Sequence, residues 1–151
     1  AAVAGCFALA AVEPWNSGLG GIGFAVVLKA GETKAKVVDF GPVAPRRADP
    51  SAYPLTGAMK KDLFTWPEVV GDVNIHGPLS FVIPSSVAGY AKLKESFGTA
   101  MPVADLLAPA IRLAKRGLAQ DWYTTLKVAS SASVLRLYAE SARIYLPNGL
   151  P

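Results

Sequence analysis

Val12-Glu13-Pro14-Trp15-Asn16-Ser17-Gly18-Leu19-Gly20-Gly21-Ile22-Gly23-Phe24 is the stretch on which the fold turns. An apolar run of small residues, Ala1 to Ala11, precedes it, and the apolar run Phe24 to Leu28 follows it. The first run predicts a helix to about Val12, packed closely on several sides because its side chains are small. Pro14 ends that helix, because the residue before a proline is pushed out of helical geometry. A helix therefore enters the glycines and a strand leaves them.

That order decides what the glycines are for. Gly18, Gly20, Gly21 and Gly23 resemble a dinucleotide-binding fingerprint in number. Such a fingerprint needs a strand before it and a helix after it, so that the helix N-terminus meets the pyrophosphate. The reversed order removes the phosphate site and leaves a turn that lets backbone segments approach closely. No nucleotide cofactor is expected.

Downstream, Phe24–Leu28 and Lys36–Phe40 read as a hairpin turning at Gly31-Glu32-Thr33. Apolar residues fall on both faces of these strands, as in a sheet covered on both sides. Pro42, Pro45, Pro50 and Pro54 make residues 41–57 a long ordered loop, and a second irregular stretch runs from Ala58 to Pro78. Leu79–Ile83 is a predicted short strand. Ser85 or Ser86 caps a helix from about Val87 to Phe97, closed by Gly98. An amphipathic helix begins at Pro102, is kinked or split at Pro109 and ends at Gly117. A last helix, capped by Asp121, is predicted to reach about Tyr138.

The chain has 151 residues, is 52% hydrophobic and 17% charged, and carries a net charge of +4. That is one domain's worth of chain, apolar enough to bury a core or to offer surface to another polypeptide. Both ends read as interrupted rather than as domain edges. The basic pairs Arg46-Arg47, Lys60-Lys61 and Lys115-Arg116 are scattered, which argues against nucleic-acid binding. A dozen apolar residues at the start are too few to span a bilayer, so no membrane partner is expected. The single Cys6 excludes an internal disulfide, and with the single His76 it excludes a Cys/His metal cluster. His76 reads as a loop residue holding backbone groups rather than a general base. Ser85-Ser86 lacks the Gly-x-Ser-x-Gly elbow of a nucleophilic serine. Trp122 and Tyr123 read as packing residues. No complete catalytic set is present in these residues.

The order of segments is more telling than any one motif. Val12-Glu13-Pro14 with Ser17-Gly18, Gly20-Gly21 and Gly23-Phe24 is followed by Asp39-Phe40, Ala44-Pro45, Ile83-Pro84, Ala88-Gly89, Phe97-Gly98 and Leu106 to Gly117. In this order they resemble the large subunit of the gamma-glutamyltransferase (gamma-glutamyltranspeptidase) family over nearly the whole chain. The resemblance implies an α+β fold, part of an N-terminal-nucleophile hydrolase αββα sandwich, with the chain a single incomplete domain. It implies a self-cleaving precursor whose small subunit begins with a nucleophilic Thr, activated by its own α-amine. Its partners would be that small subunit, the rest of the large subunit and a small amide substrate, with a bacterial cytoplasmic or periplasmic location. No catalytic residue would lie in this chain.

Two positions depart from the family pattern. The family has Asp-Phe-Arg where this chain has Asp39-Phe40-Gly41, and that Arg grips the α-carboxylate of a γ-glutamyl substrate. A bidentate guanidinium suits that task, and an unpaired desolvated carboxylate is costly. Gly41, Pro42, Arg46 and Arg47 are therefore the candidate substrate-binding residues, with Arg46 and Arg47 either reaching in or pointing to solvent. Ser85 likewise stands where the family has Gly. The resemblance then implies altered acyl specificity, as in the related cephalosporin acylases, which release a dicarboxylic acyl group. A non-catalytic module of the same fold is the alternative.

Overall fold

The computed structural model describes residues 1–61 and 64–151. Positions 62 and 63, inside the predicted irregular stretch, lie outside the described residues. The chain forms two compact units, Ala1–Leu19 with Phe97–Pro151, and Gly20–Ser96.

The first unit is helical. Helix α1 (Ala2–Val12) packs along α3 (Val103–Arg116), with Ala10 and Ala11 facing Ala110 and Ala114 around a small apolar cleft. Small side chains on both helices permit that approach. Pro109 does not split α3, which runs unbroken from Val103 to Arg116. Its first turn holds Asp105 and its last turn Lys115 and Arg116, each at the end of the helix where the dipole favours its charge. Gly117 ends it at φ 86°, a backbone state that glycine adopts without strain.

The predicted last helix is two helices. α4 (Trp122–Ser130) is capped by Asp121, whose carboxylate accepts the Thr124 N–H at 2.7 Å. It stops at Ser130, where the hydroxyl donates to the Lys127 carbonyl at 3.0 Å and so competes with the helical ladder. α5 (Ala132–Leu135) and an unpredicted α6 (Ala139–Tyr145) follow. Val128, Ala132 and Leu146 form the core here, with Leu135 and Tyr145 packed against it.

The second unit holds all the sheet found among the described residues. β1 (Gly23–Val27) pairs antiparallel with β2 (Lys36–Phe40), in a register that sets Gly23 opposite Phe40 and Phe24 opposite Asp39. One face carries Gly23, Ala25, Val38 and Phe40, all half-buried; the other carries Phe24, Val26 and Val37, all exposed. A second hairpin, β3 (Leu55–Lys61) with β4 (Thr65–Val69), falls where sequence reasoning expected irregular chain. Its ladder is broken between Leu55 and Met59, where Gly57 takes φ 87°. Pro67 pairs with Met59 inside β4, which a two-stranded ribbon allows because its strands have free edges. Leu79–Ile83 is not a strand: the extended chain there makes one ladder-like bond, from the Ile83 N–H to the Val43 carbonyl at 2.9 Å.

Helix α2 (Ser86–Phe97) lies against β2 through Phe40 and Gly89. A Cβ at Gly89 would stand 2.5 Å from Phe40 Cδ1, and one at Gly23 would stand 2.8 Å from Phe40 Cε2. The Phe40 ring thus occupies space that side chains at both glycines would need, and its edge meets Tyr90 at 5.8 Å between ring centroids. None of Gly18, Gly20, Gly21 and Gly23 has a positive φ, so close approach at Gly23, not left-handed backbone, accounts for that glycine.

Candidate functional site

A groove of about 690 Å³ runs between β2 and α2. Val38, Asp39, Phe40, Gly41, Pro42 and Val43 form one wall, Ser85, Ala88, Gly89 and Lys92 the other, and Phe24 closes an end. Its size is that of an ordinary small-molecule site. The lining is apolar apart from Asp39, Lys92 and the Ser85 hydroxyl.

The Gly41 segment is closely held. The Asp39 carboxylate accepts the Gly41 N–H at 2.8 Å, a local turn that swings the chain out of β2. The Ser85 hydroxyl donates to the Phe40 carbonyl at 2.5 Å. The N–H groups of Ser85 and Ser86 both donate to the Gly21 carbonyl, at 3.1 and 3.0 Å. The start of α2 is thereby tied to the glycine turn and to the end of β2 together. Of the two serines expected to cap α2, Ser85 immediately precedes the helix, and its hydroxyl donates to the Phe40 carbonyl.

Gly41 is not an open gap. A Cβ there would meet Phe24 Cζ at 2.7 Å and Asp39 Oδ1 at 3.1 Å. The edge of the Phe24 ring fills the space that a side chain at 41 would enter. Gly41 and Pro42 both line the groove. Arg46 and Arg47 do not; they are exposed on a turn closed by the Ala48 N–H to the Pro45 carbonyl at 2.9 Å.

The cation in the groove wall is Lys92, which sequence reasoning did not single out. It lies three residues beyond Gly89 on α2, a helical spacing that a reading of α2 against β2 would have found. Its ammonium is 2.9 Å from Glu95 Oε2, and the hydrogen bond from Lys92 holds the Glu95 carboxyl below its ordinary range. His76 lies outside the groove lining, with its backbone N–H on the Asp72 carbonyl at 3.0 Å. Trp122 is 78% exposed, while Tyr123 meets Trp15 edge to face at 5.9 Å. Among the described residues no group of three His, Cys, Asp or Glu side chains could hold a metal ion, and no helix is long and apolar enough to cross a membrane.

Helices and antiparallel hairpins in this order along the chain make an α+β segment, and the structural neighbours have the N-terminal-nucleophile hydrolase fold. The crystal structure of gamma-glutamyltranspeptidase from Helicobacter pylori matches 99% of this chain and 40% of its own, with a TM-score of 0.79 and 29% identity. That from Pseudomonas nitroreducens covers 94% of this chain with a TM-score of 0.77, a likeness of fold alone at 23% identity. The gamma-glutamyltranspeptidase family matches residues 1–151, and the chain belongs to that family. Curated relatives include an acylase ACY 1 proenzyme of Pseudomonas sp., 29% identical over 100% of this chain and 26% of its own length. Glutathione hydrolase proenzyme 2 of Schizosaccharomyces pombe is 30% identical over 99% of this chain and 22% of its own length. The chain therefore spans about a quarter of the length of these two curated relatives.

Proposed function

We propose that this chain is a large-subunit segment of an amide-bond hydrolase or acyltransferase whose nucleophilic Thr lies on a small subunit cut from the same precursor. In this reading the groove between β2 and α2 receives the acyl group, with Gly41 and Pro42 in its wall. Arg46 and Arg47, exposed and outside the lining, are left to solvent. The observation that carries the altered specificity is the Phe24 ring edge at Gly41. A hydrophobic edge stands where the Cβ of a side chain at 41 would begin, and glycine offers no guanidinium there, so this reading favours acyl groups without an α-carboxylate.

The same reading supplies partners. Phe24 at 64%, Val26 at 72% and Val37 at 64% exposure leave one face of the first hairpin bare. A face this apolar calls for cover by another polypeptide, and the remainder of the large subunit with the small subunit supplies it. That the curated relatives are described as proenzymes supports a processed precursor.

Mass spectrometry of the complete gene product tests the enzyme reading. Cleavage immediately before a Thr is expected, giving two chains. An uncut product with no such Thr would leave the non-catalytic module as the answer.

A further inference from the structure

Two residues on either side of the Gly41-Pro42 dipeptide are tied to the same short segment. The Phe40 carbonyl accepts from the Ser85 hydroxyl at 2.5 Å, and the Val43 carbonyl accepts from the Ile83 N–H at 2.9 Å. Residues 83–85 thus bracket the dipeptide from the start of α2. Glycine loses more backbone freedom on ordering than any other residue, so a groove wall that contains Gly41 depends on such ties. Of these two anchors the one from Ser85 is made by a side chain, and it reaches across from another element, whereas the Asp39 carboxylate holds the Gly41 N–H locally. Ser85 itself is half-buried and lines the groove.

We infer that Ser85 is a positioning residue for acyl recognition: its hydroxyl holds the Phe40-Gly41 peptide so that the groove is pre-shaped before substrate enters. This rests on the proposal that the groove is the acyl site. A wall that must be ordered on binding subtracts from affinity, whereas a wall already held does not. The effect therefore falls on KM rather than on the chemical step.

The test is steady-state kinetics of the complete, processed protein on its preferred acyl p-nitroanilide, beside thermal unfolding. Ser85→Ala is expected to raise KM about fivefold, the size of one lost hydrogen bond, with kcat changed by less than about twofold. Ser85→Thr keeps the hydroxyl and is expected to keep KM. Ala88→Leu, which narrows the groove from its other wall, is the companion variant. A KM unmoved by Ala88→Leu would mean that the groove is not the acyl site, and both ideas fall. A KM moved by Ala88→Leu but not by Ser85→Ala, or moved equally by Ala and Thr at 85, overturns the role of Ser85 alone. A lower unfolding temperature with unchanged KM would make the Ser85 bond structural only.

Discussion

The edge of the Phe24 ring rests against the backbone of Gly41, with Cζ 2.7 Å from where a Cβ would stand. Gly41 lies outside the left-handed backbone region, so this contact is what a side chain at 41 must overcome. The contact is with the far end of the Phe24 side chain and not with backbone, so a shift of the ring relieves it. Gly41→Arg is therefore expected to fold and to raise hydrolysis of γ-glutamyl-p-nitroanilide. Phe24→Ala/Gly41→Arg should raise it further, by about tenfold or more over the parent protein, the size of one charge-assisted carboxylate contact. Equal γ-glutamyl turnover in the parent and the double variant would contradict the proposed acyl preference.

At Gly89 the conflict is with a ring that has less freedom. Phe40 is half-buried between Gly23, Gly89 and Tyr90. Gly89→Ala should destabilise the protein by about 1–3 kcal/mol through overpacking, read from the urea midpoint at unchanged slope. Phe40→Leu in the Gly89→Ala background should recover part of the loss. Additive effects of the two substitutions would mean that the residues do not share this space.

The Asp121 cap predicts an acid dependence. The backbone N–H of Thr124 holds the Asp121 carboxyl below the ordinary aspartate range, so the unfolded chain binds that proton more readily than the folded one. The stability contributed is fully present above about pH 4 and is lost as pH falls through the depressed folded value. Asp121→Ala should unfold at a lower temperature near neutrality and lose less than the parent on acidification. A parallel decline of both proteins with pH would show that the cap carries no linkage.

Gly117 tests glycine-only backbone by itself, since φ 86° with ψ 168° is a region that residues with a Cβ avoid. At φ 86° with no heavy atom within 4 Å of a built Cβ, Gly117→Ala meets no clash and only backbone strain. A cost of about 1–3 kcal/mol is expected from thermal or urea unfolding. A neutral substitution would mean that the end of α3 relaxes.

Much of the architecture followed from local chemistry. Pro14 and Gly117 mark helix ends in the sequence as they do in space, and Asp121 caps its helix as read. The first hairpin follows from β-branched runs around Gly31, which takes φ 82°. Misreadings fell where local signals conflict with tertiary support. Pro67 and Gly57 hid the second hairpin, because each breaks a strand pattern that pairing tolerates at an edge or a bulge. Pro109 suggested a kink or a split, and α3, which packs along α1, is not split there.

What the amino-acid order determined alone was the direction of travel through the glycines, helix in and strand out. Gly41 became the position of interest only through the family resemblance, in which Arg stands where this chain has glycine. Only the tertiary structure decided what fills that absence. Phe24 and Ser85 lie 17 and 44 residues from Gly41 in sequence, and no local propensity encodes a contact closed by pairing one strand with another and seating a helix start on both. Burial and hydrogen bonding between distant segments brought Phe24, Gly41 and Ser85 to one groove, and that convergence gives the glycine its consequence.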